Sequence, residues 1–438
     1  MKILVVGGGG REHALASALS NSPLVSSLVA APGNPGIARV AECVSIAADD
    51  IEGLVAVAEE RGVDLIVVGP EVPLVAGLAD ELRARGRAVF GPGRDAARIE
   101  GSKVWAKDLM VRAGIPTARA ATFSSIEPAA AFVDELGGRA VVKADGLTAG
   151  KGVTVAADRE QAVAALRGCL DARAFGDAGA TVLVEELLQG PEISAFAICD
   201  GTSVIPLSLS QDFKRAGNGD TGPNTGGMGA YSPLSWVGEG VERQIWSIAR
   251  QTVAVMAAGG IVFQGLLYVG LMLTDDGPEV LEYNCRFGDP ETEAVIPRLG
   301  SDLAELLYAA ATGSLGDRAA AWNPDACVSV VLASGGYPGA YETGFAIEGL
   351  EDAAGVDGVE VFHAGTIERD GKVVTAGGRV LAVSALASTM AEARARAYEA
   401  CDRISFQGKR YRMDIAAHAA ADEEVARVAG HTLKATPE

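Results

Sequence analysis

Residues 1–100 repeat one unit, a short apolar run followed by a stretch with helical spacing. The runs Ile3–Val6, Leu28–Ala31, Leu65–Val68 and Ala88–Phe90 read as strands, and Arg11–Ser20, Ile51–Glu60 and Val75–Arg83 as helices between them. Strand and helix in turn predict a parallel α/β sheet. Ligands of such a sheet sit at the carboxyl ends of its strands. Two loops stand there: Gly7–Gly10, with Arg11 and Glu12 opening the first helix, and Gly69-Pro70-Glu71 after Leu65–Val68. The first offers backbone amides and a positive helix end, a seat for phosphate. It is no dinucleotide fingerprint, because Glu12 replaces the third glycine after Gly7-x-Gly9 and no acid ends the second strand. His13 is read as a structural histidine. MKILVVGGGG reads as a first strand, neither signal peptide nor membrane span.

The length, 438 residues, accommodates roughly three domains. Basic residues number 37 against 57 acidic ones, a net charge of −20. That excludes general nucleic-acid or anionic-membrane binding and requires anionic substrates to be held by local cations and amides. Six cysteines are scattered without a CxxC pair, as in a reduced, cytoplasmic protein.

From residue 101 the pattern changes. Lys103 follows Gly101-Ser102, and the strand Arg139–Lys143 leads into DGLTAGKG at Asp145–Gly152. GLTAGK is one residue short of a P-loop, and Gly152 stands where a hydroxyl would bind magnesium. A glycine-rich flap joining two antiparallel strands, with Lys143 and Lys151 flanking it, fits better. Thr181–Leu187 is a further strand ending in Glu185-Glu186, and Glu192 follows Gly190-Pro191. Residues 211–233, QDFKRAGNGDTGPNTGGMGAYSP, have too many glycines to form a core; they are expected to have little regular structure and to serve as a substrate loop.

Leu281–Glu293 reads LEYNCRFGDPETE. Glu282 and Asn284 lie two residues apart on a strand, so both leave the same face. A carboxylate beside a neutral oxygen suits a hard cation such as Mg²⁺, and Arg286 continues the alternation. Cation, carboxylates and metal ligands within so few residues point to phosphoryl transfer. Cys285 points to the opposite face and has no catalytic role. Cys327 to Arg412 reads as a separate module of short strands and one helix, followed by a frayed helix and tail.

The motifs GGGREHA, APGNPG, VGPEVPL, EGSK, KADGLTAGKG, SQDFKR, DTGPNTGGMGAYSP, EYNCRFGDPET, FHAGT and GGRVL occur in that order. In them the chain resembles the phosphoribosylamine–glycine ligases of the ATP-grasp superfamily, from Met1 to about Ala417. Gly8 stands where that family usually has asparagine, and Phe213 where histidine is common. The resemblance implies an α/β and α+β fold: an N-terminal parallel domain over 1–101, a two-lobed ATP-grasp core over 102–325 with a flexible small lobe at about 120–190, a mixed β domain over 326–425 and a tail, 426–438. It implies ATP, with Mg²⁺ or Mn²⁺, acting on glycine and 5-phosphoribosylamine in a cytoplasmic enzyme without nucleic-acid or membrane partners, expected as a monomer. Arg286, Asp212 and Lys143 are the implied catalytic residues. ATP falls to Lys103, Lys143, Gly150, Lys151, Gly152, Glu185, Glu186, Leu188 and Glu192, and the metal to Glu282 and Asn284. Substrate contacts fall to Gly9, Gly10, Arg11, Glu12, Gly69, Pro70, Glu71, Asp212, Asn224, Thr225, Gly226, Gly227, Met228, Arg286 and Asp289. Two rivals are a purine-pathway carboxylase subunit, which should lack DTGPNTGGMGAYSP, and an inactive nucleotide-binding relative, which should lose Lys143, Glu282, Asn284 or Arg286.

Overall fold

A computed structural model describes residues 1–148 and 152–434. The opening alternation folds as five parallel strands: β1 (Lys2–Gly7), β2 (Ser27–Pro32), β3 (Glu42–Cys43), β4 (Leu65–Val68) and β5 (Ala88–Phe90). Their order is β3-β2-β1-β4-β5. β1 and β4 are buried along their apolar runs, as strands covered on both sides must be. The chain reverses direction across the sheet at β1, which makes the tips of β1 and β4 the switch point. Gly69 N–H donates to Val6 O at 3.0 Å there, and helix α1 (Gly10–Ser20) starts beside them. The helix expected over Val75–Arg83 is instead two, Glu71–Ala76 and Leu78–Ala84. Gly77, at φ +96°, breaks them apart, and a Cβ there would lie 2.6 Å from the Arg94 guanidinium.

The small lobe contains β6 (Ala120–Phe123), β7 (Ala140–Ala144), β8 (Val153–Ala156) and β9 (Val182–Glu185), antiparallel in the order β6-β9-β7-β8. Helices Ile126–Glu135 and Arg159–Leu170 cover it and close a core of its own. β7 and β8, on either side of residues 145–152, pair antiparallel. Gly150 and Lys151 lie outside the described residues.

The chain then forms β10 (Glu192–Asp200) and β11 (Val204–Pro206), and next β12 (Gln211–Asp212), β13 (Arg215–Gly217), β14 (Thr221–Asn224) and β15 (Gly229–Ser232). After the helix Glu239–Ala258 come β16 (Gln264–Thr274) and β17 (Gly277–Asn284), which form the large-lobe sheet β11-β10-β16-β17. The last region adds β18 (Ala326–Ala333), β19 (Val359–His363), β20 (Thr366–Arg369), β21 (Lys372–Thr375) and β22 (Arg379–Ala387), with the helix Met390–Arg403 packed behind.

The loop 211–233 is therefore more regular than its composition predicts. Its glycines at positive φ, Gly219 and Gly227 among them, make turns between short strands instead of preventing pairing. β13 and β14 form a hairpin, while β12 and β15 complete a five-stranded sheet, β12-β15-β18-β22-β19. The carboxyl-terminal region is thus not separate in space, because strands from 211–232 form one side of its sheet. The final helix runs Ala417–Lys434, and residues 435–438 of the expected tail lie outside the described residues. No helix among the described residues is long and apolar enough to cross a membrane.

Candidate active site

A β-bulge sets the phase of β17. Gly270 pairs with Glu282 and Leu271 with Val280, which leaves Leu281 as the extra residue. Strict alternation from the buried Val280 would have sent Glu282 into the core. The bulge puts Tyr283 there and turns Glu282 and Asn284 to the cleft, with Cys285 buried and Arg286 on the cleft side again. Gly270 opposite leaves room, since a Cβ there would come within 3.2 Å of Glu282 Cγ.

The bulge also frees a carbonyl. Lys143, on β7, donates to Leu281 O at 2.8 Å and pairs with Glu185 Oε2 at 2.5 Å. Glu185, on the neighbouring β9, holds Lys107 on its other oxygen at 2.7 Å. Burial alone would raise the Glu185 pKa, but Lys143 and Lys107 reverse this and hold it below the usual carboxylate range. Glu185 is thus buried between Lys143 and Lys107. The Glu186 carboxylate accepts from Arg119 N at 2.6 Å, and Leu188 is half-buried. Lys103 donates to Gly146 O at 2.8 Å at the foot of the flap. Burial lowers its pKa against the opposing pull of Glu282. Gly152 N–H donates to Thr148 Oγ1 at 3.0 Å at the far end of the flap.

Arg286 lies between two acids, Glu100 Oε1 at 2.8 Å and Glu71 Oε2 at 3.3 Å. Glu100 also accepts from Cys285 N at 2.8 Å. The Asn284 amide is satisfied with its NH₂ donating to Glu100 Oε1 and to Tyr283 O, each at 3.1 Å, which turns its oxygen away from both acceptors. Burial would raise the Glu282 pKa, yet Lys214, Lys143, Lys103 and Arg286 together bring it below the usual range, so the carboxylate stays ionised. Among the described residues no three His, Cys, Asp or Glu side chains converge into a closed metal site.

The amino-terminal end meets this cluster through Arg11, which donates to Phe287 O at 3.0 Å. Gly9 and Gly10 lie at the start of α1, and a Cβ at Gly9 would sit 3.5 Å from Asp289 Oδ2. Glu12 is not open to a ligand. It is buried, accepts from Gly9 N at 2.6 Å and Arg11 Nε at 2.5 Å, and fills the space a Cβ on Gly7 or Gly69 would need. It caps α1 and packs the two loops together. Asn34, from APGNPG, ties this end to the carboxyl-terminal region by donating to Gly8 O at 3.0 Å and His363 O at 2.7 Å. His13 accepts from His363 N at 2.8 Å at the same junction.

The loop 211–233 closes the other side. Arg379, at the start of β22, lies 3.1 Å from Asp289 Oδ1 and donates to Asp289 O at 2.7 Å and Gly226 O at 2.5 Å. Gly226 N–H donates to Tyr337 Oη at 3.0 Å. Asp212 is half-buried beside Gly227, its Oδ1 shielded from solvent and without a hydrogen-bond partner. Burial and the nearby Glu291 push its pKa well up. Asn224 and Thr225 are half-buried, whereas Met228 is 3% exposed and belongs to the core. At the loop tip Arg412 pairs with Asp220 and Asp414, both at 2.7 Å, and its guanidinium lies 4.9 Å over the Phe213 ring. Phe213 thus carries a cation–π contact and no titratable ring.

Sequence reasoning missed Glu100, Lys107, Arg379, Arg412 and Lys214 as members of this constellation. Glu100 and Arg379 stand inside the motifs EGSK and GGRVL, and Lys107 follows Lys103 by one helical turn. Arg412 carries no local signal.

Family models match nearly the whole chain: the phosphoribosylglycinamide synthetase N domain over residues 1–100, its ATP-grasp (A) domain over 101–292 and its C domain over 327–418. A phosphoribosylamine–glycine ligase of Brucella melitensis is 50% identical over 428 residues, 98% of this chain and 100% of that one. One from Rhizobium meliloti is 51% identical over 424 residues, 97% of this chain and 100% of that one. The crystal structure of the Thermotoga maritima phosphoribosylamine–glycine ligase superposes with a TM-score of 0.84 at 33% identity, covering 95% of this chain and all of that one. The biotin carboxylase domain of the Hydrogenobacter thermophilus 2-oxoglutarate carboxylase shares the fold, with a TM-score of 0.73 at 18% identity, over 93% and 91% of the two chains. Bulged strand, paired lysines, clasped loop and ATP-grasp fold coincide with these full-length matches, and the chain belongs to the phosphoribosylamine–glycine ligase family.

Proposed function

We propose that this chain uses ATP to join glycine to 5-phosphoribosylamine, giving glycinamide ribonucleotide, ADP and phosphate in purine biosynthesis, by way of glycyl phosphate. The observation that carries the reading is the convergence of Lys143, Glu282, Asn284 and Arg286 on one cleft, within a chain about half identical to ligases of that name. A carboxylate does not yield to an amine until one of its oxygens becomes part of a leaving group. Glycine's carboxylate attacks the γ-phosphate and releases ADP. The amine then attacks the acyl carbon, and phosphate departs with that oxygen while the amine gives up a proton. Lys103 and Lys143 bind phosphates, and Arg286 opposes the charge that builds on the acyl phosphate. Asp212 and Asp289 orient the two amines. Gly9, Gly10 and Arg11 seat the 5-phosphate of phosphoribosylamine, with Gly69 and Pro70 beside them. Glu192 holds the nucleotide ribose.

Glu282 and Asn284 fit Mg²⁺ or Mn²⁺ by donor chemistry, one ionised carboxylate and one amide oxygen turned away from its neighbours' acceptors. So sparse a protein set suits Mg²⁺, which fills its shell with waters and substrate phosphates. Bound there, the ion would supply charge neutralisation for the transferring group. Six free cysteines, five of them buried, support a cytoplasmic setting, and the small-molecule cleft on one chain supports a monomer. Phosphate release that requires ATP, glycine and phosphoribosylamine together tests the reading. Full release with glycine omitted would overturn it.

A further inference from the structure

Four cations face Glu282, and three of them are held elsewhere. Lys143 is bonded to Glu185 and Leu281 O, Lys103 to Gly146 O, and Arg286 to Glu71 and Glu100. The fourth is Lys214. Its ammonium is paired with the Glu192 carboxylate and lies 3.9 Å from Glu282 Oε1, the one cation within ion-pair reach of Glu282 among the described residues. It therefore bridges the carboxylate assigned to the nucleotide ribose and the carboxylate assigned to the metal. Its side chain is 31% exposed, so it stands on the open wall of the cleft rather than inside the core.

The backbone of Lys214 belongs to the substrate loop. Thr225 donates to Lys214 O through N at 2.7 Å and through Oγ1 at 2.9 Å, and Gly227 N donates to Thr225 Oγ1 at 3.0 Å. Lys214 and the turn Asn224–Gly227 therefore move as one unit.

We propose that Lys214 is the resident counter-ion of the metal site: it neutralises Glu282 and Glu192 while the cleft holds no nucleotide, and a divalent cation arriving at Glu282 displaces it. This rests on Glu282 being the metal ligand. A lone lysine at this distance satisfies the carboxylate without coordinating it closely, and a divalent ion interacts with it about twice as strongly at equal separation. Ammonium and metal repel each other once both are present. The lysine then leaves Glu282, and the loop that carries it registers that the metal has arrived. Such a device lowers the affinity for free metal and keeps it for the metal that comes with nucleotide.

The test is Mn²⁺ binding to the nucleotide-free full chain, read from the electron paramagnetic resonance signal of free Mn²⁺, with thermal melts confirming folding. K214M should bind Mn²⁺ on the order of tenfold more tightly than the parent, and K214R should stay near the parent. The double variant K214M/E192Q, which removes the lysine together with its second partner, should keep the tightening. K214Q replaces K214M if the latter is poorly folded. Unchanged affinity in the lysine variants, with binding still weakened by E282Q, overturns the counter-ion role alone. Affinity unchanged by E282Q overturns the ligand assignment on which the role rests.

Discussion

Lys143 Nζ donates at 2.8 Å to the carbonyl oxygen of Leu281, the bulged residue of the strand that carries Glu282 and Asn284. Lys143 of one lobe is thereby tied to the strand that carries Glu282 and Asn284 in the other. Lys143→Met breaks that tie and leaves Glu185 with Lys107 alone. Turnover should fall by roughly 10²-fold or more, since a preorganised cation at the transferring group is lost. Stability should fall by only about 1–3 kcal/mol, because the remaining lysine still compensates the buried carboxylate. Steady-state kinetics and urea unfolding check both.

Arg412 is 1% exposed and holds the tip of the loop 211–233 from the carboxyl-terminal region. Its partners Asp220 and Asp414 are 68% and 28% exposed, so water can take over much of their solvation when the arginine is removed. Arg412→Met should therefore cost about 1–3 kcal/mol rather than the larger penalty of a wholly buried pair. The Michaelis constant for glycine should rise several-fold and that for ATP should stay nearly constant, which separates loop positioning from general instability.

The paired histidines make the junction of α1 and β19 sensitive to acid. Burial, then His363 and Arg39, bring the His13 pKa to about 3, and burial with Arg39 brings that of His363 to about 4. Both are neutral in the folded chain, and His13 Nδ1 accepts the His363 N–H, which a protonated nitrogen cannot do. The unfolded state binds more protons below its ordinary value near 6.5, so stability is full above that pH and declines as pH falls toward about 4 and 3. Melting temperatures for the parent and His13→Gln over pH 7 to 4 should converge, the parent losing more.

Glu293 presents the opposite sign. It is fully buried beside Gly10, both oxygens lacking a hydrogen-bond partner, and burial with nearby Asp289 holds its pKa well above the ordinary value. Burial favours its neutral form in the folded chain, and the penalty grows as pH rises above the unfolded value near 4.5. Glu293→Gln should raise the melting temperature at neutral pH and lose that advantage near pH 4.5. Equal gains at both pH values would refute a protonated Glu293.

Period and composition made the amino-terminal sheet legible, because each strand and crossover helix carries its own apolar pattern. Glu282, Asn284 and Arg286 were legible too, since alternation along a strand is local. The bulge at Leu281 was not, although the cleft side of all three depends on it, because pairing register is a property of two strands. Glycine content misled over 211–233: β15 joins the sheet by pairing with β18, which lies nearly a hundred residues further on. For the same reason Arg412 showed no local signal and Arg379 only its place in GGRVL, since both meet a loop far from them in sequence.

The route through glycyl phosphate is tested most directly by oxygen transfer. Glycine labelled with ¹⁸O in its carboxylate is turned over with ATP and phosphoribosylamine, and the phosphate released is analysed by mass spectrometry. Attack of the carboxylate on the γ-phosphate carries one labelled oxygen into each phosphate, and Glu282→Gln should slow the appearance of that label in step with turnover. Product formed at full rate with no ¹⁸O in the phosphate would contradict the account.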